Sequence, residues 1–428
     1  MKRLFATVLV LVIGLAASAP APRPRDGRQR DLQRLVRLYE DGRYFELRDA
    51  LGPFKDTRSP ELEFFRGAVD QVFNRLAAAV PRLKGFLASE TGPVRMLDKE
   101  AGVLLADAYR KLGRYREAAA ALHDVRTRFG PVLDDGERAN YLDQEDLWSA
   151  LSNVPPQSVE IAADAAIRMT GRHIPVRIGD RDLFVSYDTG ADLSVLCKSI
   201  ADEVGVPIYG SEVKVRTVSG ESVKGRIGVV PELRLGPLVV RNAVFFVLPD
   251  AVFPPVKVRP GADRRGLLGA PILVGLGEFT ETEDGRLIVP AEPKRRPVEN
   301  MFLSGFLPVV EAVHRRARLS LCLDTGAATT VLFPPFYKRY RGEIDSRSSL
   351  RGITLGGLGS SRTVPVRVLD EFAFRTGGLA LALRKVMVQT RETLPLTRIF
   401  HGTLGVDILP QCQRMTLNFV SMSFILEE

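Results

Sequence analysis

Two strings in this chain end an apolar run on the same acidic corner: Phe184-Val-Ser-Tyr-Asp-Thr-Gly-Ala-Asp-Leu-Ser-Val-Leu196 and Leu321-Cys-Leu-Asp-Thr-Gly-Ala-Ala-Thr-Thr-Val-Leu332. Their aspartates, Asp188 and Asp324, are the residues whose types and spacing can do chemistry. Two carboxyl groups held side by side cannot both ionise, so they share one proton. One member of such a pair can deprotonate a water while the other protonates a carbonyl oxygen, with no metal and no nucleophilic side chain. Gly190 and Gly326 permit the close turn and let backbone N–H groups approach each carboxylate. Ala191 and Ala327 offer no hydroxyl to bond the charged form, which leaves the pair less acidic than one that has such hydroxyls.

Taken singly, each Asp-Thr-Gly reads as a strand-to-turn corner in which Asp and Thr bond local backbone. The spacing argues otherwise. Residue numbers 188 and 324 differ by 136, and the same offset relates Leu267-Leu-Gly269 to Thr403-Leu-Gly405, Val195-Leu196 to Val331-Leu332, and Gly220 to Gly356. Ala270-Pro-Ile-Leu273 and Val406-Asp-Ile-Leu409 come after the glycines as the starts of short helices. Four markers in register imply an internal duplication.

The elements that position these residues are β. Val176-Arg-Ile and Leu183 to Tyr187 run apolar or alternate around Gly179-Asp180, and Val213 to Gly220 with Ser222 to Val230 reads as a hairpin. Leu233 to Leu248 supplies further strand, ending at Pro249. The β regions are expected at 158–290 and 300–428, joined by a Pro/Lys/Arg-rich linker at 291–299. Upstream, residues 31–151 keep a helical period, as in Leu32, Leu35, Val36 and Tyr39, or Leu104, Leu105, Ala108 and Tyr109. The string from Leu105 to Ala118 resembles a tetratricopeptide repeat through Ala106, Tyr109, Gly113, Tyr115 and Ala118. Leu35 to Leu51, with Tyr39, Gly42 and Tyr44, is similar in degenerate form, and Glu61 to Ser89 fills the place between. The resemblance implies stacked helical hairpins that dock a protein or peptide; a structural cap on the β regions is the alternative.

The order Asp-Thr-Gly-Ala, hairpin with Gly, apolar-apolar-Gly and short helix resembles one half of a retropepsin-type aspartic protease. Two such halves on one chain are similar to the layout of pepsin-like enzymes. The resemblance implies a multidomain α plus all-β protein: helical-hairpin repeats, then a bilobal, internally duplicated aspartic-protease β fold. It implies an endopeptidase in which Asp188 and Asp324 hold the attacking water. Thr189, Gly190, Ala191, Thr325, Gly326 and Ala327 would support them, the threonines by cross-bonding the two loops. Ser219, Gly220, Gly356 and Gly357 would lie in hairpin flaps over an extended peptide or protein substrate. Two departures from pepsins stand out: Ala follows each Asp-Thr-Gly, and no Tyr stands near either flap tip. A non-catalytic peptide-binding or scaffold protein that kept the double-lobed fold is the competing expectation.

Composition bounds the rest. A chain of 428 residues is too long for one ordinary core, and 45% hydrophobic residues is normal for globular protein. The net charge of +9 is scattered among acids, with no basic stripe, so nucleic acid is not an expected partner. Cys197, Cys322 and Cys412 read as small buried hydrophobes, with one disulfide as the alternative. The four histidines are isolated, so neither metal nor cofactor is expected. Lys2 and Arg3, an apolar run from Leu4 to Ala17 and the small residues Ala17 to Ala19 have the layout of a secretory signal peptide at 1–19, with a Pro/Arg-rich linker after it at 20–30. Export to the periplasm or medium is expected, with membrane retention if the segment stays uncleaved. A monomer is expected, since one chain supplies both aspartates.

Overall fold

The computed structural model describes residues 25–55, 57, 59–89, 96–216, 222–253, 265–357 and 360–428. The expected signal segment, the start of the first linker, and Ser219 and Gly220 lie outside the described residues.

The helical region comprises α1 (Arg25–Glu40), α2 (Tyr44–Leu51), α3 (Pro60–Val72), α4 (Leu76–Ala88), α5 (Met96–Lys111), α6 (Tyr115–Phe129) and α7 (Asp135–Ala150). Helix α1 starts at Arg25, so the end of the stretch expected as linker is helical; Pro24 is the last proline before it. Ser59 caps α3 by accepting from the Leu62 N–H, with Pro60 at the first helical position. Asp134 and Glu137 form a reciprocal capping box on α7. The turns between α1 and α2, α3 and α4, and α5 and α6 share one geometry. Each has a single residue at positive φ: Gly42 at 64°, Asn74 at 58° and Gly113 at 65°. In each, the next N–H closes back on the preceding helix: Arg43 to Leu38 O (2.9 Å), Arg75 to Asp70 O (2.7 Å) and Arg114 to Tyr109 O (2.9 Å). Asn tolerates the left-handed region, so the middle hairpin makes the same turn without the glycine.

Lobe 1 contains β1 (Ser158–Glu160), β2 (Ala165–Arg168), β3 (His173–Ile178), β4 (Arg181–Asp188), β5 (Ser194–Cys197), β6 (Ile208–Arg216), β7 (Ser222–Leu235), β8 (Leu238–Leu248), β9 (Gly266–Gly269), β10 (Glu278–Thr282) and β11 (Arg286–Val289). Lobe 2 contains β12 (Met301–Ser304), β13 (Leu307–His314), β14 (Ala317–Leu323), β15 (Val331–Leu332), β16 (Arg351–Gly357), β17 (Ser360–Thr376), β18 (Leu379–Gln389), β19 (Gly402–Leu404), β20 (Arg414–Asn418) and β21 (Ser423–Glu427). The strand expected from Leu233 to Leu248 is broken by a turn at Gly236 (φ 56°), which makes β7 and β8 a hairpin.

Each lobe closes on itself as a six-stranded barrel. In lobe 1 the pairing runs β3–β4–β9–β5–β8–β7 and back to β3. In lobe 2 it runs β13–β14–β19–β15–β18–β17 and back to β13, with the same alternation of parallel and antiparallel pairs. A separate antiparallel sheet, β2-β11-β10-β20-β21, joins the lobes through β10 and β20.

Buried side chains run continuously from the helices into both lobes. Phe302 of β12 is fully buried against Tyr44, Phe45 and Phe73 of the helical region and Phe400 of lobe 2, with the Phe45 ring 4.9 Å away. Arg48 and Arg75 both reach Glu299 in the inter-lobe linker. All three cysteines are free and buried. No described helix is long and apolar enough to cross a membrane.

Candidate active site

Each Asp-Thr-Gly loop hangs from the end of a central barrel strand. Asp188 ends β4, beside Gly269 on the parallel strand β9. Asp324 comes directly after β14, and its N–H donates to Leu404 O at 3.0 Å. The aspartates then bend back on their own loops: Asp188 Oδ1 accepts from Gly190 N (2.7 Å), and Asp324 Oδ1 accepts from Gly326 N (2.9 Å) and Ala327 N (3.0 Å). A second layer fixes the far side of each loop. Ala270 N donates to Ala191 O at 2.8 Å, and Val406 N to Ala327 O at 3.0 Å. Ser194 Oγ accepts from Gly269 N (3.0 Å), and Thr330 Oγ1 accepts from Gly405 N (3.1 Å) while donating to Asp407 Oδ1 (2.7 Å).

The two loops are tied to each other through their threonines. Thr189 N donates to Thr325 Oγ1 and Thr325 N to Thr189 Oγ1, both at 3.0 Å. Each hydroxyl then donates across the lobe boundary, Thr189 to Leu323 O (2.6 Å) and Thr325 to Tyr187 O (3.3 Å). Both side chains are buried, so these bonds are made away from competing water. The glycines sit against the opposite carboxylates. A Cβ on Gly190 would lie 2.7 Å from Asp324 Cγ, and one on Gly326 would lie 2.6 Å from Asp188 Cγ. Any larger residue would wedge the pair apart.

The environment favours a shared proton. Burial, then the charge of Asp324, pushes the Asp188 carboxyl well above the usual carboxylate range. Burial raises Asp324 as well, opposed by its hydrogen bonds with Asp188 and with the backbone of Gly326 and Ala327. Both side chains remain partly open to solvent beside their exposed glycines, so water can reach the pair. Beneath Asp188, the buried Tyr187 hydroxyl contacts Glu281 and accepts from Arg172 Nη2 at 2.8 Å. Tyr187 and Cys322 are core strand residues, 2% and 1% exposed. Among the described residues, no group of three or more His, Cys, Asp or Glu side chains is placed to hold a metal ion.

Gly356 and Gly357 lie at the end of β16, opposite Ser361 and Ser360 of β17, in a hairpin. The lobe 1 counterpart joins β6 and β7, with Arg216 opposite Ser222. The expected match of Gly220 with Gly356 falls on one residue outside the described ones, and the 136-residue offset does not hold through the hairpins. Gly356 is on a strand arm, while the paired strands around it are offset by more than 136: β7 and β17 start at Ser222 and Ser360. The offset drifts because the helix after β15, Pro334–Arg347, is longer than its lobe 1 counterpart, Lys198–Glu203. Sequence reasoning also missed Asp192, whose Oδ2 lies 2.6 Å from Nη1 of Arg110 on α5. The fifth residue of each Asp-Thr-Gly-Ala string marks the difference, being Asp192 in one and Ala328 in the other. Ser194 and Thr330 were findable, as hydroxyl residues 136 apart.

Residues 174–272, most of the lobe 1 barrel, match the sequence model of a family described as aspartyl protease. The chain is also similar to a retropepsin-like aspartic protease from Rickettsia conorii known from a crystal structure, at 17% identity. That match covers 31% of this chain and 91% of the other, with a TM-score of 0.20. No curated protein matches the chain. The architecture is an N-terminal helical region and then two β-barrel lobes, the bilobal arrangement of an aspartic protease fold.

Proposed function

We propose that this chain is an aspartic endopeptidase that hydrolyses peptide bonds with a water held between Asp188 and Asp324. The observation that carries the reading is the threonine cross-bonding that brings two partly buried carboxyls together, each packed on the other loop's glycine. Asp324, whose carboxylate accepts two backbone N–H groups, is the better anion, and Asp188 the better holder of the shared proton.

Asp324 takes a proton from the water as its oxygen bonds to the scissile carbonyl carbon, while Asp188 gives its proton to the carbonyl oxygen. The tetrahedral intermediate collapses when Asp324 returns a proton to the departing nitrogen and Asp188 recovers one from the hydroxyl. The products are a carboxylic acid and an amine, and the pair regains its single proton. The substrate is an extended peptide or protein segment under the β6–β7 and β16–β17 hairpins, which act as lids. One chain carries both aspartates, so a monomer suffices. The basic, apolar and small-residue order of the first residues supports export.

The test is cleavage of a diverse peptide pool across several pH values by the wild type, Asp188→Asn and Asp324→Asn. Cleavage by the wild type alone supports the reading. Equal cleavage by all three, or silence from a folded wild type at every pH, would overturn it.

A further inference from the structure

All three hairpin turns of the helical region face the barrel lobes. The first presses Gly42 against Ile399 of lobe 2, where a Cβ would collide with the Ile399 side chain. The second donates from Asn74 Nδ2 to Phe419 O of lobe 2 at 3.2 Å. The third packs Gly113 on Pro156, at the entry to lobe 1, where a Cβ would lie 2.7 Å from Pro156 Cα. Helix α7 adds a contact on the outer strand of the lobe 1 hairpin: a Cβ on Gly210 would be 2.8 Å from Ala150 Cβ. The helices therefore bridge both lobes.

The bridge reaches the catalytic loop at Arg110. This guanidinium, 8% exposed as a side chain, is held on its own helix by Asp107. Its face lies 4.7 Å from the Phe306 ring of lobe 2 and 5.7 Å from Trp148 of α7. From this fixed position Nη1 donates to Asp192, four residues past Asp188. Asp192 Oδ1 in turn accepts from Phe306 N at 3.2 Å, at the turn between β12 and β13. Helix α5, the lobe 1 catalytic loop and lobe 2 thus meet at one carboxylate. Asp192 is 61% exposed as a side chain, so the ion pair is screened. Its value is geometric, because the buried, aromatic-flanked Arg110 has few other places to go.

We propose that the helical region is a built-in clamp that sets the approach of the two lobes, with Arg110 as the positioning residue for the Asp188 loop. This rests on the proteolytic reading for its kinetic consequence and on nothing beyond the fold for its structural one.

The experiment uses the full chain as wild type, Asp192→Asn, Arg110→Met and Arg110→Lys, with Arg126→Met as a control whose partner Glu145 lies on α7. Two readouts are taken: kcat and KM on a peptide the wild type cleaves, and hydrogen exchange of peptides covering 186–194, 300–310 and 115–150. A small displacement of a reacting group costs on the order of 100-fold in rate. Arg110→Met and Asp192→Asn should therefore lower kcat by at least about 10-fold with little change in KM. Exchange should rise in 186–194 and 300–310 while 115–150 keeps its protection. Arg110→Lys should recover part of both effects, and Arg126→Met should match the wild type. If Arg110→Met fails to fold, Asp192→Asn decides, since it leaves the helical charge cluster intact. Wild-type protection at 186–194 and unchanged kcat in Asp192→Asn would overturn the clamp. If the wild type cleaves nothing, the proteolytic reading falls, and the exchange data alone uphold or overturn the clamp.

Discussion

The hydroxyls of Thr280 and Thr416 lie 2.8 Å apart, buried where β10 meets β20, and the two residues are 136 apart in sequence. That is the separation of Thr189 and Thr325, which bond each other at the candidate active site. Each pair joins a residue to its own duplicate, so both lie on the pseudo-two-fold axis relating the lobes. Two points fix an axis, and the inter-lobe sheet and the paired Asp-Thr-Gly loops share it.

A double-mutant cycle tests the lower pair. Thr280→Val or Thr416→Val alone leaves a buried hydroxyl without its partner and should cost about 1–3 kcal/mol. The double variant replaces both with apolar groups of similar shape and should cost less than the sum of the singles. Denaturant midpoints on all four proteins check this, and strict additivity would mean the hydroxyls do not interact.

The carboxyl pair should govern both activity and stability against pH. Activity needs one shared proton, so it should fall at low pH as the second proton binds and at higher pH as the shared one leaves. Because burial and mutual charge raise the pair, the upper limb should lie above the ordinary carboxylate range, with an optimum milder than a gastric pepsin's. For stability, a folded pKa above the unfolded one (about 3.9 for Asp) gives a contribution present below the unfolded value and lost as pH rises through the folded value. Asp188→Asn removes that loss. Its Tm should gain on the wild type as pH rises from about 4 toward neutrality, and a constant Tm difference across that range would contradict the raised pair.

Gly326→Ala is the smallest change that should separate fold from chemistry. The new methyl would meet the Asp188 carboxyl well inside contact distance, and carboxylates displaced by a fraction of an ångström lose proton sharing. A loss of at least about 100-fold in kcat is expected, with circular dichroism unchanged. Near-normal turnover would mean the pair is not held as tightly as the structure has it.

Phe302→Ala probes the junction of helices and lobe 2. The ring is fully buried among four other aromatic side chains, so truncation should cost about 3–5 kcal/mol. A thermal melt shows it, and a loss under about 1 kcal/mol would indicate an interface that yields easily.

The paired Asp-Thr-Gly loops were legible because their parts are local in sequence. Asp, Thr and Gly must be adjacent to make the corner, and duplication printed the corner twice. The duplication into two β lobes was readable from the repeated order of strands and glycines, while the closure of each lobe into a barrel was not. The middle helical hairpin was faint because Asn74 does the work of a glycine in its turn. The break at Gly236 was missed because the residues on either side, Leu233 to Leu235 and Leu238 to Val240, have strand character throughout. Arg110 and Asp192 could not be paired from sequence: they are 82 residues apart, and nothing in an arginine on a helix names its partner. The offset between the two hairpins drifts for a related reason. An insertion in one half and a shorter connection later cancel at β9 and β19, which hides the drift between them.

The pairing of β10 with β20 also sets a timetable. Helical hairpins close over turns of a few residues, as soon as the second helix exists. Strand β10 can pair at once with β11, but its other neighbour, β20, lies more than a hundred residues downstream, and such distant closures come late. Until translation has passed Asp324, the nascent chain holds one carboxylate where the proposed chemistry requires two. On the proposed chemistry a half-made molecule could not cut itself or its neighbours, and that capacity would arrive only when the second lobe folds against the first.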